Sequence, residues 1–361
     1  MLMIVSVISG SGFGGIQMVN RLLGDAIRQA RIPGTIVSLH DPLDADWKEV
    51  WPDGICARGS KLRFLCGALL RRRHARRSVV LVSHVSLAPV GRLIKQVSGA
   101  QLYVFLHGVE CWNPLSASAR WGMRACDLAI CNSQITLEKF RQANESLNAI
   151  RSEVVYLPAR KLADSNGDHN HPPSSKTALR ALIVGRLWGR GMVKGQRQLI
   201  EVWPDVIKDF PNAQLCIVGA GEGRREFEEL AREQGVRDAI TFAGEVTDEE
   251  LDALYASSDV YAMPSRGEGF GLVFAEAMSR SLPCIASRFD AGSEVVIDGI
   301  TGLHVDPDDR QELLKALKTL FGDPSLRLRM GEAGRRRAEE MFSIGAFNKK
   351  IRRILEGVCD V

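Results

Sequence analysis

The sequence predicts an α/β protein built from two successive doubly wound domains, each a parallel sheet with helices on both faces. Three observations carry this. Apolar strand-like segments alternate with segments of helical period along the whole 361-residue chain, a pattern that calls for parallel strands joined by crossover helices. The alternation stops once, at the polar, turn-rich stretch 160–178 (RKLADSNGDHNHPPSSKTA), and then resumes, as expected of a linker. On each side of the break there is enough chain for a separate core.

The first half opens on MIVSVIS (3–9), a continuous apolar run that reads as a buried strand. The loop SGSGFGGI follows, with Gly10, Gly12 and Gly15 in Gly-x-Gly-x-x-Gly spacing between strand and helix. Residues 16–30 then place Ile16, Val19, Leu22, Leu23, Ala26, Ile27 and Ala30 at a helical period. Further strands are expected at TIVSL (35–39), SVVLVS (78–83), LYVFLH (102–107), LAICN (128–132) and EVVYL (153–157). Beyond the linker the strand candidates are LRALIVGR (179–186), QLCIVGAGEG (214–223), AITFAG (239–244), DVYAMPS (259–265), PCIAS (283–287) and TGLHVD (301–306). The last segment, IGAFNKKIRRILEGV (344–358), reads as an amphipathic helix.

Composition narrows the class. Apolar residues make up 45% and charged residues 25% of the chain, as in soluble globular proteins. No apolar run approaches the ~18 residues of a membrane helix, and the N-terminus lacks the basic start of a signal peptide. The eight cysteines are scattered without a C-x-x-C, so they read as reduced, mostly buried thiols of a cytoplasmic protein. The net charge of +4 conceals an asymmetry: residues 1–178 hold 22 Lys and Arg against 13 Asp and Glu, and residues 179–361 hold 25 against 30. A basic first half predicts an anionic partner there. Within it, KLRFLCGALLRRRHARR (61–77) interleaves seven basic residues with leucines, which predicts peripheral contact with the anionic inner face of a plasma membrane. No nucleic-acid recognition motif accompanies the cluster, so nucleic acid is not an expected partner.

The segment that speaks most directly to chemistry is PSRGEGFGLVFAEAM (264–278). It follows the strand candidate DVYAMP and reads as strand, glycine loop, then helix. Such a junction turns backbone N–H groups and a helix N-terminus toward one spot, where an anion such as a diphosphate sits well. Glu268 lies in the loop and Glu276 inside the helix; at ~1.5 Å rise per helical residue they reach points on the order of 10 Å apart.

This segment resembles the Glu-(seven residues)-Glu motif of the retaining glycosyltransferases of family four, and the likeness continues through HVDPDD (304–309). The resemblance implies the GT-B fold: two Rossmann-like domains with parallel sheets facing across a cleft. It divides the chain into an acceptor-binding domain (1–160), a linker (161–178), a nucleotide-sugar-binding domain (179–343) and a C-terminal helix (344–361) returning to the first domain. It also implies roles. Glu268 holds hydroxyls of the donor sugar, Glu276 the ribose, and the Gly269, Phe270, Gly271 and Leu272 backbone the diphosphate. Arg186 and Lys194, in GRLWGRGMVKG, neutralise the diphosphate as it leaves. Their spacing of eight residues is longer than the family pattern, and Arg190 between them is a candidate to share the lysine's role. Gly14 and Gly15 let the first loop approach the donor phosphates and the acceptor. His107 lines the sugar pocket, with Glu110 a second candidate there.

The reaction so implied moves a hexosyl group from a nucleoside-diphosphate sugar to a hydroxyl with retention. The acceptor hydroxyl enters on the face the diphosphate leaves, so no protein nucleophile is required. Arg266, in SRGEGFGLV, resembles the mannosyl- and glucosyltransferases of exopolysaccharide assembly. GDP-mannose is the favoured donor and a UDP-hexose the next, with a lipid-linked saccharide of bacterial surface polysaccharide synthesis as acceptor. No cofactor and no essential metal are expected: Asp44-Ala-Asp46 and Asp306-Pro-Asp308 match an Asp-x-Asp metal site only over two residues. Two alternatives stay open. Gly10, Gly12 and Gly15 also fit an NAD-dependent oxidoreductase, and an inactive chain would be a nucleotide-sugar-binding module.

Overall fold

The computed structural model describes residues 2–6, 15–40, 54–70, 79–160, 178–188 and 194–356. The chain divides into two compact units, one of residues 1–157 together with 344–361 and one of residues 158–343.

In the first unit the strands β1 (Leu2–Ser6), β2 (Gly34–Ser38), β3 (Ile55–Cys56), β4 (Val79–Val82), β5 (Gln101–Leu106), β6 (Leu128–Cys131) and β7 (Ser152–Val154) form a parallel sheet in the order β3-β2-β1-β4-β5-β6-β7. The helices α1 (Gly15–Gln29), α2 (Lys61–Leu70), α3 (Ala88–Ser98), α4 (Ala117–Met123) and α5 (Gln134–Ala143) make the crossovers. Strands buried on both faces must be apolar throughout; Val79–Val82 and Leu128–Cys131 are buried at every position. Val80, Val82, Leu102, Val104, Leu106 and Phe140 anchor one core cluster of this unit. The strand expected over 153–157 is shorter, because its partner β6 ends at Cys131 and the ladder ends with it. The edge strand β3, two residues paired with Val37 and Ser38, is too short to show a period in sequence.

The second unit repeats the scheme with β8 (Arg180–Val184), β9 (Gln214–Val218), β10 (Ile240–Gly244), β11 (Val260–Met263), β12 (Cys284–Ser287) and β13 (Gly302–Val305), in the order β10-β9-β8-β11-β12-β13. Its helices are α6 (Gln196–Asp209), α7 (Arg224–Glu233), α8 (Asp248–Ala256), α9 (Leu272–Ser279), α10 (Gly292–Val295), α11 (Arg310–Gly322) and α12 (Pro324–Met341). Short side chains fix where several begin: Thr247 and Glu250 form a capping box on α8, Asp309 caps α11, and Asp323 caps α12 with Pro324 in its first turn. The last helix, α13 (Ile344–Glu356), belongs to the first unit. There it packs on α1, Asn348 Nδ2 donates to Gln29 Oε1 at 2.7 Å, and Lys350 pairs with Glu153 at 2.8 Å.

Candidate active site

In an open parallel sheet, ligands bind beyond the carboxyl ends of the strands where the strand order reverses. In the second unit that point lies between β8 and β11, which pair through Ala181–Val260 and Leu182–Tyr261. The loop leaving β8 carries Arg186 and Lys194; the loop leaving β11 carries Pro264 to Gly271. The topology therefore brings two motifs some 75 positions apart in sequence to one edge, and the side chains meet: Lys194 Nζ donates to Glu268 Oε2, both side chains being largely buried. Gly195 explains how the lysine gets there. Its φ is +104°, and a Cβ would stand 2.6 Å from Pro264 Cδ. Only glycine allows the backbone to turn this tightly against the Glu268 loop.

Glu268 sits ahead of α9 in a loop whose turn closes at Gly271, with φ +91° and no room for a Cβ beside the Phe274 ring at 2.6 Å. Phe270 is buried and meets Phe342 edge-on, with ring centroids 5.6 Å apart. Its side chain thus belongs to the core, while the backbone of Gly269–Leu272 forms the helix entrance. The N–H groups of Gly267 and Glu268 are already used: both donate to Asp290 Oδ2, at 3.2 and 3.0 Å.

Glu276 lies in the middle of α9, a helix buried from Phe274 to Met278. Tyr255 Oη donates to its Oε2 at 3.0 Å, and Arg160 Nε lies 3.5 Å from its Oε1 while the same guanidinium pairs with Asp248. Burial pushes the Glu276 carboxyl pKa up, against the opposing pull of Arg160 and Tyr255. Burial also drives the Tyr255 phenol well above its ordinary value, so it stays a hydrogen-bond donor.

Arg186 stacks over the Trp188 ring, its guanidinium carbon 4.1 Å from the centroid. Lys194 Cγ lies 3.7 Å from where a Cβ of Gly185 would stand, so the two cationic residues share one strand end. Arg266 turns outward and pairs with Asp306 (3.2 Å) and Asp308, so this Asp-x-Asp serves as its counter-charge.

In the first unit, His107 follows β5. Its Nε2 donates to the Ser83 carbonyl at 2.6 Å, its N–H donates to Glu110 Oε1 at 2.6 Å, and burial pulls its pKa down, keeping the imidazole neutral. Gly15 begins α1. Gly14, Gly10, Gly12, Arg190, Asp44 and Asp46 lie outside the described residues, as do 71–77 of the basic segment and 161–177 of the linker.

Three residues of the site were not singled out from sequence: Asp290, Tyr255 and Arg160. Each touches a motif glutamate only because a strand or helix distant in sequence folds beside it, and none belongs to a local pattern.

Comparison with known proteins gives the family and the fold. Residues 166–337 match the family model described as glycosyl transferases group 1. A relative from Mycolicibacterium smegmatis, a GDP-mannose-dependent alpha-(1-6)-phosphatidylinositol monomannoside mannosyltransferase, is 33% identical over 292 residues, covering 75% of this chain and 74% of its own. The chain belongs to the group 1 glycosyltransferases. A GDP-mannose-dependent monoacylated alpha-(1-6)-phosphatidylinositol monomannoside mannosyltransferase from Corynebacterium glutamicum is 29% identical over 287 residues, covering 75% of this chain and 74% of its own. Among solved structures, a sucrose-phosphate synthase from Thermosynechococcus elongatus superposes with a TM-score of 0.81 at 22% identity, covering 99% of both chains. HepE of Anabaena, in complex with UDP and glucose, superposes with a TM-score of 0.78 at 20% identity over 99% of this chain and all of its own. At these identities the structural matches speak for the fold, and the glycosyltransferase has the GT-B fold expected from its sequence.

Proposed function

We propose that this glycosyltransferase transfers mannose from GDP-mannose, with retention, to a hydroxyl of a lipid-linked saccharide. The observation that carries the reading is the meeting of Lys194 and Glu268 beyond the carboxyl ends of β8 and β11, at the entrance to α9. A carboxylate that accepts sugar hydroxyls, a cation for the departing diphosphate and a helix N-terminus then act on one small volume. Glu268 orients the hexose, Arg186 and Lys194 stabilise the charge that develops on the diphosphate, and Glu276 receives the ribose hydroxyls. The leaving diphosphate oxygen takes the acceptor proton, so the protein's contribution is positioning and charge. No divalent metal is part of the proposal. The choice of mannose draws support from the names of the two mycobacterial and corynebacterial relatives. Those names also give a phosphatidylinositol mannoside as acceptor, which supports an amphiphilic acceptor here. We further infer a cytoplasmic enzyme peripheral to the inner membrane through 61–77; among the described residues no helix is long and apolar enough to cross a membrane.

The test is nucleotide release from GDP-mannose, UDP-glucose and ADP-glucose, with and without a membrane lipid extract, for wild type and Glu268→Ala. GDP release that rises with extract and vanishes in the variant is expected, with the α-anomer of the product seen by NMR. Release from another donor would move the donor assignment; a β-linked product would overturn retention. EDTA leaves turnover unchanged, and loss restored by Mn²⁺ would refute the metal-free site.

A further inference from the structure

Asp290 follows β12 and is 1% exposed. Its Oδ2 accepts three hydrogen bonds, from Ser265 Oγ at 2.8 Å, Gly267 N at 3.2 Å and Glu268 N at 3.0 Å. Its Oδ1 accepts one from Gly292 N at 3.0 Å. The next residue completes the clamp, because Ala291 N donates to the Glu268 carbonyl at 3.0 Å. Both backbone polar groups of Glu268 are thus tied to residues 290–291. Burying a carboxylate is costly unless its bonds are made, and these four are made. The turn at Gly267, with φ +110°, makes the N–H groups of Gly267 and Glu268 converge. Convergent N–H groups form an anion site, and here the anion is built into the protein.

We propose that Asp290 is a positioning residue for donor-sugar recognition: it fixes the peptide of Glu268 so that the Glu268 carboxylate is presented to the hexose, with no contact of its own to the nucleotide. The inference rests on the donor-sugar role of Glu268 given above. It follows that Asp290 contributes to the sugar part of binding and turnover and not to the nucleotide part. Asparagine at this place keeps the shape but offers one acceptor oxygen instead of two. It then satisfies either the Ser265–Glu268 side or Gly292, and a donor amide faces the other N–H.

The experiment compares binding of GDP with GDP-mannose, and of UDP with UDP-glucose, by calorimetry on the full chain, together with kcat, for wild type, Asp290→Asn, Ser265→Ala and Glu268→Ala. Thermal melts run alongside. Misplacing a binding group by about 1 Å costs about 10²-fold in rate, and a loss of that order in kcat is expected for Asp290→Asn. Nucleoside-diphosphate affinity stays at the wild-type value, while the difference between nucleotide and nucleotide-sugar disappears. Ser265→Ala, which removes a single donor, shifts the same quantities in the same direction by less. If Glu268→Ala loses the sugar contribution and Asp290→Asn retains it, the positioning role is overturned and the donor reading stands. If Asp290→Asn and Ser265→Ala lose nucleotide and nucleotide-sugar affinity alike, the aspartate is merely structural and the proposal fails. If Glu268→Ala binds and turns over both nucleotide-sugars as wild type does, or wild type binds neither pair, the donor reading falls and the role of Asp290 falls with it.

Discussion

A buried glutamate on an apolar helix is expensive, and Glu276 shows the terms. Tyr255 and Arg160 offset part of the cost, but burial prevails and the carboxyl pKa lies above its ordinary 4.5. The folded protein therefore holds this proton more tightly than the unfolded chain does. Its stabilising contribution is complete below the ordinary carboxylate pKa and is lost as pH rises through the raised value. Glu276→Gln removes that dependence. Thermal melts should show the variant more stable than wild type at about pH 7.5, the gap closing as pH falls toward the ordinary carboxylate range, while ribose-dependent nucleotide affinity is lost. A gap that widens with acidification would contradict the assignment. Tyr255→Phe acts in the opposite sense. It strips a hydrogen bond from a buried acceptor and should destabilise by about 1–3 kcal/mol, measured by urea unfolding. In the proposed function Lys194 acts on the diphosphate, so its replacement by Ala should lower kcat by about 10²–10³-fold, as for removal of one preorganised charge-stabilising donor, measured as steady-state nucleotide release.

At the scale of elements, the site is made by two loops that leave neighbouring strands and by the turn that presses one on the other. Gly195 caps α6 with φ +104° against Pro264. Gly195→Ala requires both a left-handed alanine and a displacement of Pro264, the residue that leads into the Glu268 loop. Strain of order 1–3 kcal/mol is expected, and turnover should fall by more than stability alone predicts, because Lys194 moves relative to Glu268; kcat and the urea midpoint measured together decide this. Much of the architecture was readable beforehand. Strands such as SVVLVS and LAICN announce themselves because burial on both faces forbids polar interruption, and the glycine loop before α9 announces itself because close backbone approach admits no other residue. The resemblance carried by that loop points to Glu268, Glu276 and Lys194, and the structure brings Lys194 onto Glu268 and buries Glu276 in α9. It could not find Asp290 or Tyr255. Their significance comes from the order β8-β11-β12, which lays the β12 loop beside the β11 loop, and from the packing of α8 beside α9; neither relation leaves a local pattern. Arg266 shows the reverse. Its place in SRGEGFGLV suggested the donor, yet its guanidinium pairs with Asp306 and Asp308, a partnership set by the β13 loop.

Across the whole molecule, charge is partitioned: the 22 basic and 13 acidic residues of 1–178 contrast with 25 and 30 in 179–361. The basic excess coincides with an unusual surface on α2. Phe64 and Ala68 face the core, while Leu62 and Leu70 stand 72% and 76% exposed and Cys66 between them is exposed too. Residues four apart share one helix face, so Leu62, Cys66 and Leu70 line a single apolar stripe. Lys61 and Arg63 flank it, and five arginines follow in RRRHARR (71–77). An apolar stripe with basic flanks has the chemistry of a helix that rests in an anionic lipid surface. A lipid-linked acceptor would give such a surface its purpose. Two forces then act, and they separate by experiment. Electrostatic attraction fades within a Debye length of about 8 Å at physiological salt, so vesicles containing phosphatidylglycerol should bind the protein at low salt and release it as salt rises. Burial of a leucine side chain is worth about 1.5–3 kcal/mol, so Leu62→Ser and Leu70→Ser should each weaken vesicle binding about tenfold or more, without altering turnover of a water-soluble acceptor. Cosedimentation that ignores both salt and lipid charge, or that survives both leucine substitutions, would show that this face does not meet the membrane.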